Sequence, residues 1–102
     1  MTDAYYTITR EPGVVRLSGD FDINARDDLQ SVLAEAIEED GAGGIVVDFD
    51  QVQFLDSEAL GALIEGYVAA RAAGVKLSVT NARGIVHRVL DVSGVLEMAA
   101  NG

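Results

Sequence analysis

The sequence contains no cysteine, a single proline and a single histidine in 102 residues. Without cysteine there is neither a disulfide framework nor a thiolate zinc site. One proline and a hydrophobic fraction of 49% argue against disorder and for a packed core. No apolar run exceeds a few residues, so a membrane-spanning helix is not expected. The segment Met1-Thr2-Asp3-Ala4-Tyr5-Tyr6 has neither the basic region nor the apolar run of a signal peptide. A cytoplasmic location is the expectation. Basic residues are also scarce: 7 against 17 acidic ones, a net charge of -10. Such a surface repels nucleic acid and anionic lipid. It suits a basic partner surface, or simply keeps a small protein in solution.

What remains is enough for one domain spanning 1–102. Tyr5 to Thr9 and Val14 to Ser18 are β-rich runs flanking Pro12-Gly13, a pair suited to a type II turn, and they read as a hairpin. Gly19-Asp20-Phe21-Asp22 is predicted to leave the second strand as a polar loop. Asn24 then stands where an N-cap belongs, with Asp27 at the third helical position. Leu29, Val32, Leu33, Ala36 and Ile37 form one apolar stripe of a first helix, which Gly41-Ala42-Gly43-Gly44 stops.

The run Ile45-Val46-Val47 predicts a buried central strand, continuing to Phe49. Phe54-Leu55-Asp56 reads as a loop leading to a second helix from Ser57, with Leu60, Leu63, Ile64, Tyr67 and Val68 facing inward and Gly74 ending it. Val75, Leu77 and Val79 alternate as a strand. Asn81 is expected to cap a short helix bearing Ile85, Val86, Val89 and Leu90, closed by Ser93-Gly94. Val95-Leu96 is expected to be a last short strand. Two strand–helix–strand crossovers require a mixed, mostly parallel sheet. The fold class is α/β.

Asp56-Ser57-Glu58 reads two ways. It is an ordinary helix start, with Asp56 or Ser57 as cap and Glu58 complementing the dipole. It is also a good address for a reversible phosphate, because backbone N–H groups there favour added negative charge. Gly61 lies four residues on, nearly on the same face, and would leave a smooth patch beside the hydroxyl. If the second and third strands are parallel neighbours, Asp20, Asp22, Asp48 and Asp56 gather with Ser57 at one sheet edge. Grouped carboxylates could hold a divalent cation, but caps and solvated turn residues account for them, and no metal or cofactor is expected. His87 sits on the short third helix among Val86, Val89 and Leu90, and nothing in the spacing brings it to Ser57 as a general base. The glycine loop at 41–44 precedes a strand and lacks the lysine of a phosphate cradle.

Three blocks together resemble the STAS domain family, and within it the small bacterial anti-sigma-factor antagonists. They are Gly19-Asp20-Phe21-Asp22 with Ala25 and Leu29; Val46-Val47-Asp48-Phe49 through Phe54-Leu55-Asp56-Ser57 with Leu60-Gly61; and Val89-Leu90-Asp91-Val92-Ser93-Gly94-Val95. The likeness spans roughly residues 5 to 98. It implies a sheet with helices mainly on one face, and a non-enzymatic switch in transcription regulation. Ser57 would be the phosphoacceptor, with Asp22 and Asp56 in the surrounding acidic site. The partner would be an anti-sigma factor that is also a serine kinase with bound ATP or ADP, and a phosphatase would reset the cycle. In place of the usual serine or threonine followed by glycine, this chain has Glu58 and Ala59. The first adds a charge beside Ser57, and the second a methyl where a partner needs clearance. STAS domains also serve as constitutive subunits of transport and lipid-transport complexes, a second expectation that Glu58 would favour by impairing the kinase.

Overall fold

The N-terminal hairpin forms around the one proline. In the computed structural model, which describes residues 5–101, β1 (Tyr6–Glu11) pairs antiparallel with β2 (Val14–Phe21). Gly13 between them has φ +77, the left-handed conformation a type II turn requires at its second central residue. A crossover through α1 (Arg26–Asp40) leads to β3 (Ile45–Leu55), and another through α2 (Ser57–Ala72) leads to β4 (Leu77–Thr80). The sheet order is β1-β2-β3-β4, with β2, β3 and β4 parallel. The expected α/β architecture is what forms. α3 (Gly84–Val92) and α4 (Val95–Asn101) complete the described residues.

One face of the sheet carries Val15, Leu17, Ile45, Val47, Phe49 and Leu77, all buried. Leu29, Leu33 and Ala36 of α1 and Ala59, Leu63 and Tyr67 of α2 complete that core. The opposite face presents Thr7, Thr9, Arg16 and Ser18, all exposed, so the strands alternate as half-buried strands should.

Several boundaries differ from the sequence-based expectation, each for a physical reason. β2 does not end in a polar loop at Gly19, because Phe21 is fully buried and pairs with Leu55. For the same reason Phe54-Leu55 closes β3 rather than lying in a loop. Asn24 does not cap α1: Asp22 accepts from its backbone N–H at 2.9 Å and opens a 3₁₀ turn, Ile23–Ala25, that runs straight into the helix. Nor does Asn81 cap α3. It has φ +64, and its side chain donates to Asp48 at 3.0 Å. Val95-Leu96 begins a helix, not a strand, since Val95 and Ala99, one turn apart, both face the core.

The largest departure concerns the face of α2. Its buried side is built from small residues, Ala59, Ala62, Gly66 and Ala70, together with Leu63 and Tyr67. A Cβ on Gly66 would sit 2.7 Å from Leu33 Cδ1, so a side chain there would force the Leu33 tip to shift from its place between α1 and α2. Of the residues expected inside, Leu63 and Tyr67 are buried and Leu60 and Ile64 pack half-buried against the core, but Val68 is 58% exposed.

Tyr67 is 4% exposed, and its hydroxyl donates to the Leu77 carbonyl oxygen. Burial pushes its pKa from 10.0 up to about 12. An unfolded tyrosine ionises near 10, so above that pH the unfolded chain sheds a proton the folded chain keeps. The contribution is whole below pH 10 and is lost as pH rises towards 12, at a cost of up to roughly 2 kcal/mol. Urea unfolding across that range should show the decline, and Tyr67→Phe should flatten it. An equal decline in the variant would assign the effect to other groups.

Candidate functional site

The site begins with two irregularities in the β2–β3 ladder. Arg16 pairs with Asp48, Ser18 with Gln51, and Asp20 with Phe54. β3 therefore gains a residue on β2 twice over this span, which is the signature of bulges. The result is that Leu55 draws level with Phe21, and Asp22 and Asp56 leave the sheet side by side. The Asp56 backbone N–H, donating to the Phe21 carbonyl oxygen at 3.0 Å, fastens the two chain ends together.

Asp56 is extended (φ -96, ψ 179) and is the N-cap of α2. Its Oδ1 accepts from the N–H groups of Glu58 and Ala59, both at 3.0 Å, and its carbonyl oxygen accepts from Leu60 N–H at 2.9 Å. This decides between the two capping alternatives. With Asp56 as cap, the Ser57 hydroxyl is released from that task, and Ser57 is exposed at the first position of the helix. The same bonds alter one expectation, because the N–H groups of Glu58, Ala59 and Leu60 are already engaged by Asp56.

Glu58 is exposed but not a bare charge. Its Oε1 accepts from Arg26 Nη1 at 2.8 Å, and Arg26 Nε reaches Asp27 at 3.3 Å. The hydrogen bond to Glu58, followed by that to Asp27, raises the Arg26 pKa, so the guanidinium stays charged. Ala59 is fully buried, so its methyl faces the core and takes no clearance from a partner, contrary to the sequence expectation. At Gly61 a Cβ would meet nothing within 4 Å. Internal packing therefore does not require glycine there, unlike at Gly66.

Asp20, Asp22 and Asp56 stand at the shared edge of β2 and β3, as predicted, but Asp48 does not. It lies well inside β3, opposite Arg16 and Thr80. Burial disfavours its ionised form, but hydrogen bonds from Asn81 and the Asp50 N–H, with Arg16 and Arg83 nearby, outweigh that and lower its pKa. The sequence placed Asp48 wrongly because it ended the strand at Phe49. Among the described residues no three carboxylate or imidazole side chains are grouped to hold a metal ion. His87 is exposed on α3, and no hydrogen bond among the described residues joins it to Ser57.

Three features of this edge escaped the sequence. Ile23 and Phe54, 56% and 48% exposed, flank the aspartates with apolar surface. Along α2 from Ser57, Gly61 and the exposed Val68 form an outward strip at helical spacing, with Ile64 half-buried against the core beside it. Arg26 reaches Glu58 across 32 positions of sequence, and no local periodicity signals such a pair.

Fold and edge together define a small α/β domain that presents the exposed Ser57 hydroxyl at an edge bearing carboxylates and apolar side chains. The family model described as "Mlab, STAS domain" matches residues 5–99, and the chain belongs to the STAS domain family. A curated relative, the anti-sigma F factor antagonist of Paenibacillus polymyxa, is 33% identical over 85 residues, 83% of this chain and 73% of that protein. Among solved structures, the unphosphorylated form of the anti-sigma factor antagonist SpoIIAA is similar in fold. Its TM-score is 0.72 at 19% identity, covering 91% of this chain and 84% of that one. The phosphorylated form of the Bacillus cell fate determinant SpoIIAA gives a TM-score of 0.67 at 19% identity, with 90% and 85% covered. No helix among the described residues is long and apolar enough to cross a membrane.

Proposed function

We propose that the protein is an anti-sigma-factor antagonist, not an enzyme, whose grip on its partner is switched by phosphorylation of Ser57. The unmodified protein binds a cytoplasmic anti-sigma factor that is also a serine kinase carrying ATP or ADP, and so releases a sigma factor. A phosphatase restores the unmodified state. The reading rests on the exposed Ser57 hydroxyl, freed from capping by Asp56 at the start of a helix. A phosphate added there disturbs no internal contact. The relative from Paenibacillus polymyxa supports the antagonist role.

The chemistry of the switch follows from the surroundings. Ile23, Phe54, Gly61 and the outward strip of α2 supply apolar area for docking. Phosphorylation adds about -1.5 to -2 charge beside Asp20, Asp22 and Asp56, and a surface that tolerated those carboxylates meets a much stronger field. Glu58 contributes little to that repulsion while Arg26 neutralises it.

Two measurements test the reading. Incubation with the co-purifying kinase and ATP, followed by mass spectrometry, should place one phosphate on Ser57, and Ser57→Ala should abolish it. Calorimetric titration of Ser57→Asp against that kinase should show affinity reduced by about 100-fold, since like charges set against a docked surface cost several kcal/mol. Unchanged binding would instead identify a constitutive subunit.

A further inference from the structure

The occupied N–H groups at the start of α2 raise the question of what balances a phosphate on Ser57. Glu58, Ala59 and Leu60 all donate to Asp56. Among the described residues, Arg26 makes the ion pair to the first turn of α2. Its partner there, Glu58, is the residue next to Ser57, with Cα atoms about 3.8 Å apart. Arg26 projects from the first position of α1, which packs on α2 with Leu33 occupying the space left by the missing Cβ of Gly66.

The pair is built to exchange. Arg26 gives one Nη1 contact to Glu58 and one Nε contact to Asp27, so it has no two-point grip on either carboxylate. Both ends of the Arg26–Glu58 pair are about half exposed (45% and 46%), and such pairs contribute little to stability. A phosphate dianion offers more charge and three acceptor oxygens, and arginine can bind it in bidentate fashion.

We propose that Arg26 is the counter-charge of a phosphate on Ser57, leaving Glu58 to take it, and that Glu58 is the built-in competitor that loosens this hold. The inference rests on the Ser57 reading above. It makes Arg26 a positioning residue for the modified state. It also gives Glu58 a role, as the acid that keeps Arg26 at the helix start while Ser57 is unmodified. On release, the Glu58 carboxylate stands unpaired beside the phosphate and faces the docking partner without its counter-charge.

The test installs phosphoserine at position 57 during synthesis, so that it does not depend on any kinase. The second ionisation of that phosphate is followed by ³¹P NMR in the parent, Arg26→Ala, Arg26→Lys and Glu58→Gln proteins. Arg26→Ala should raise the midpoint by about half a pKa unit, the shift expected for an exposed charge pair. Arg26→Lys should recover part of it, and Glu58→Gln should move the midpoint below the parent's. A merely structural role for Arg26 would leave the midpoint where it was, and identical titrations in parent and Arg26→Ala would overturn the proposal. A kinase-delivered phosphate found by mass spectrometry on another residue would overturn the Ser57 reading instead, and the installed phosphate keeps the two failures apart.

Discussion

Replacing Gly19 with alanine is expected to destabilise the fold by about 4 kcal/mol, combining left-handed backbone strain with a steric clash. Gly19 has φ +95, a conformation L side chains rarely adopt. A Cβ there would lie 2.1 Å from the Tyr5 carbonyl oxygen and 3.1 Å from Tyr6 Cα. Both are backbone atoms of the chain segment paired with β2, so no side-chain rotation relieves the contact. Relief would require the start of β1 to move away from β2. That would break the 2.8 Å hydrogen bond from Asp20 N–H to the same Tyr5 oxygen. For a domain this size the loss corresponds to a fall in melting temperature of about 20 °C, measurable by calorimetry. A midpoint within a few degrees of the parent would show that the hairpin can open here at little cost.

Phe21→Ala should be comparably damaging, at about 4 kcal/mol, through loss of transfer free energy and the cavity left behind. Phe21 is fully buried, and its ring centroid lies 5.4 Å from that of Tyr6 in a tilted arrangement. Such an aromatic pair contributes about 1 kcal/mol beyond burial. Phe21→Leu retains most of the volume and should cost far less. The substitution also reports on the site, because the Phe21 carbonyl oxygen holds the Asp56 N–H. Hydrogen exchange at Asp56 should accelerate in Phe21→Ala well before global unfolding. If it exchanges as in the parent, the ends of β2 and β3 are held by something other than this residue.

How much of this was legible in sequence depended on whether the signal was local. The hairpin was readable because Pro12-Gly13 constrains φ at adjacent positions and Val15 and Leu17 alternate beside it. The parallel sheet was readable because helices separate its strands. Ser57 at a helix start was readable because Asp56 and Ser57 are both N-cap residue types ahead of an apolar helical run. By contrast, the bulges of β3 broke its alternation after Phe49, and so the strand appeared to stop six residues early and Asp48 was misplaced at the edge. The face of α2 was read only in part: Leu63 and Tyr67 are buried as expected, but Val68 is exposed, and Ala59, Ala62, Gly66 and Ala70 fill the rest of the interior, small residues that hydrophobicity alone does not mark.

The sequence by itself therefore determined the order of elements as far as α3, the α/β class and the serine at the start of α2, all consequences of short-range dihedral preference and periodicity. Only the tertiary structure decided that Asp56 rather than Ser57 is the cap, that Ala59 points inward, and that Arg26 meets Glu58. Those outcomes depend on how far β3 advances against β2 and how closely α2 approaches α1. Both distances are set by packing between residues remote in the chain, where no local pattern carries the information.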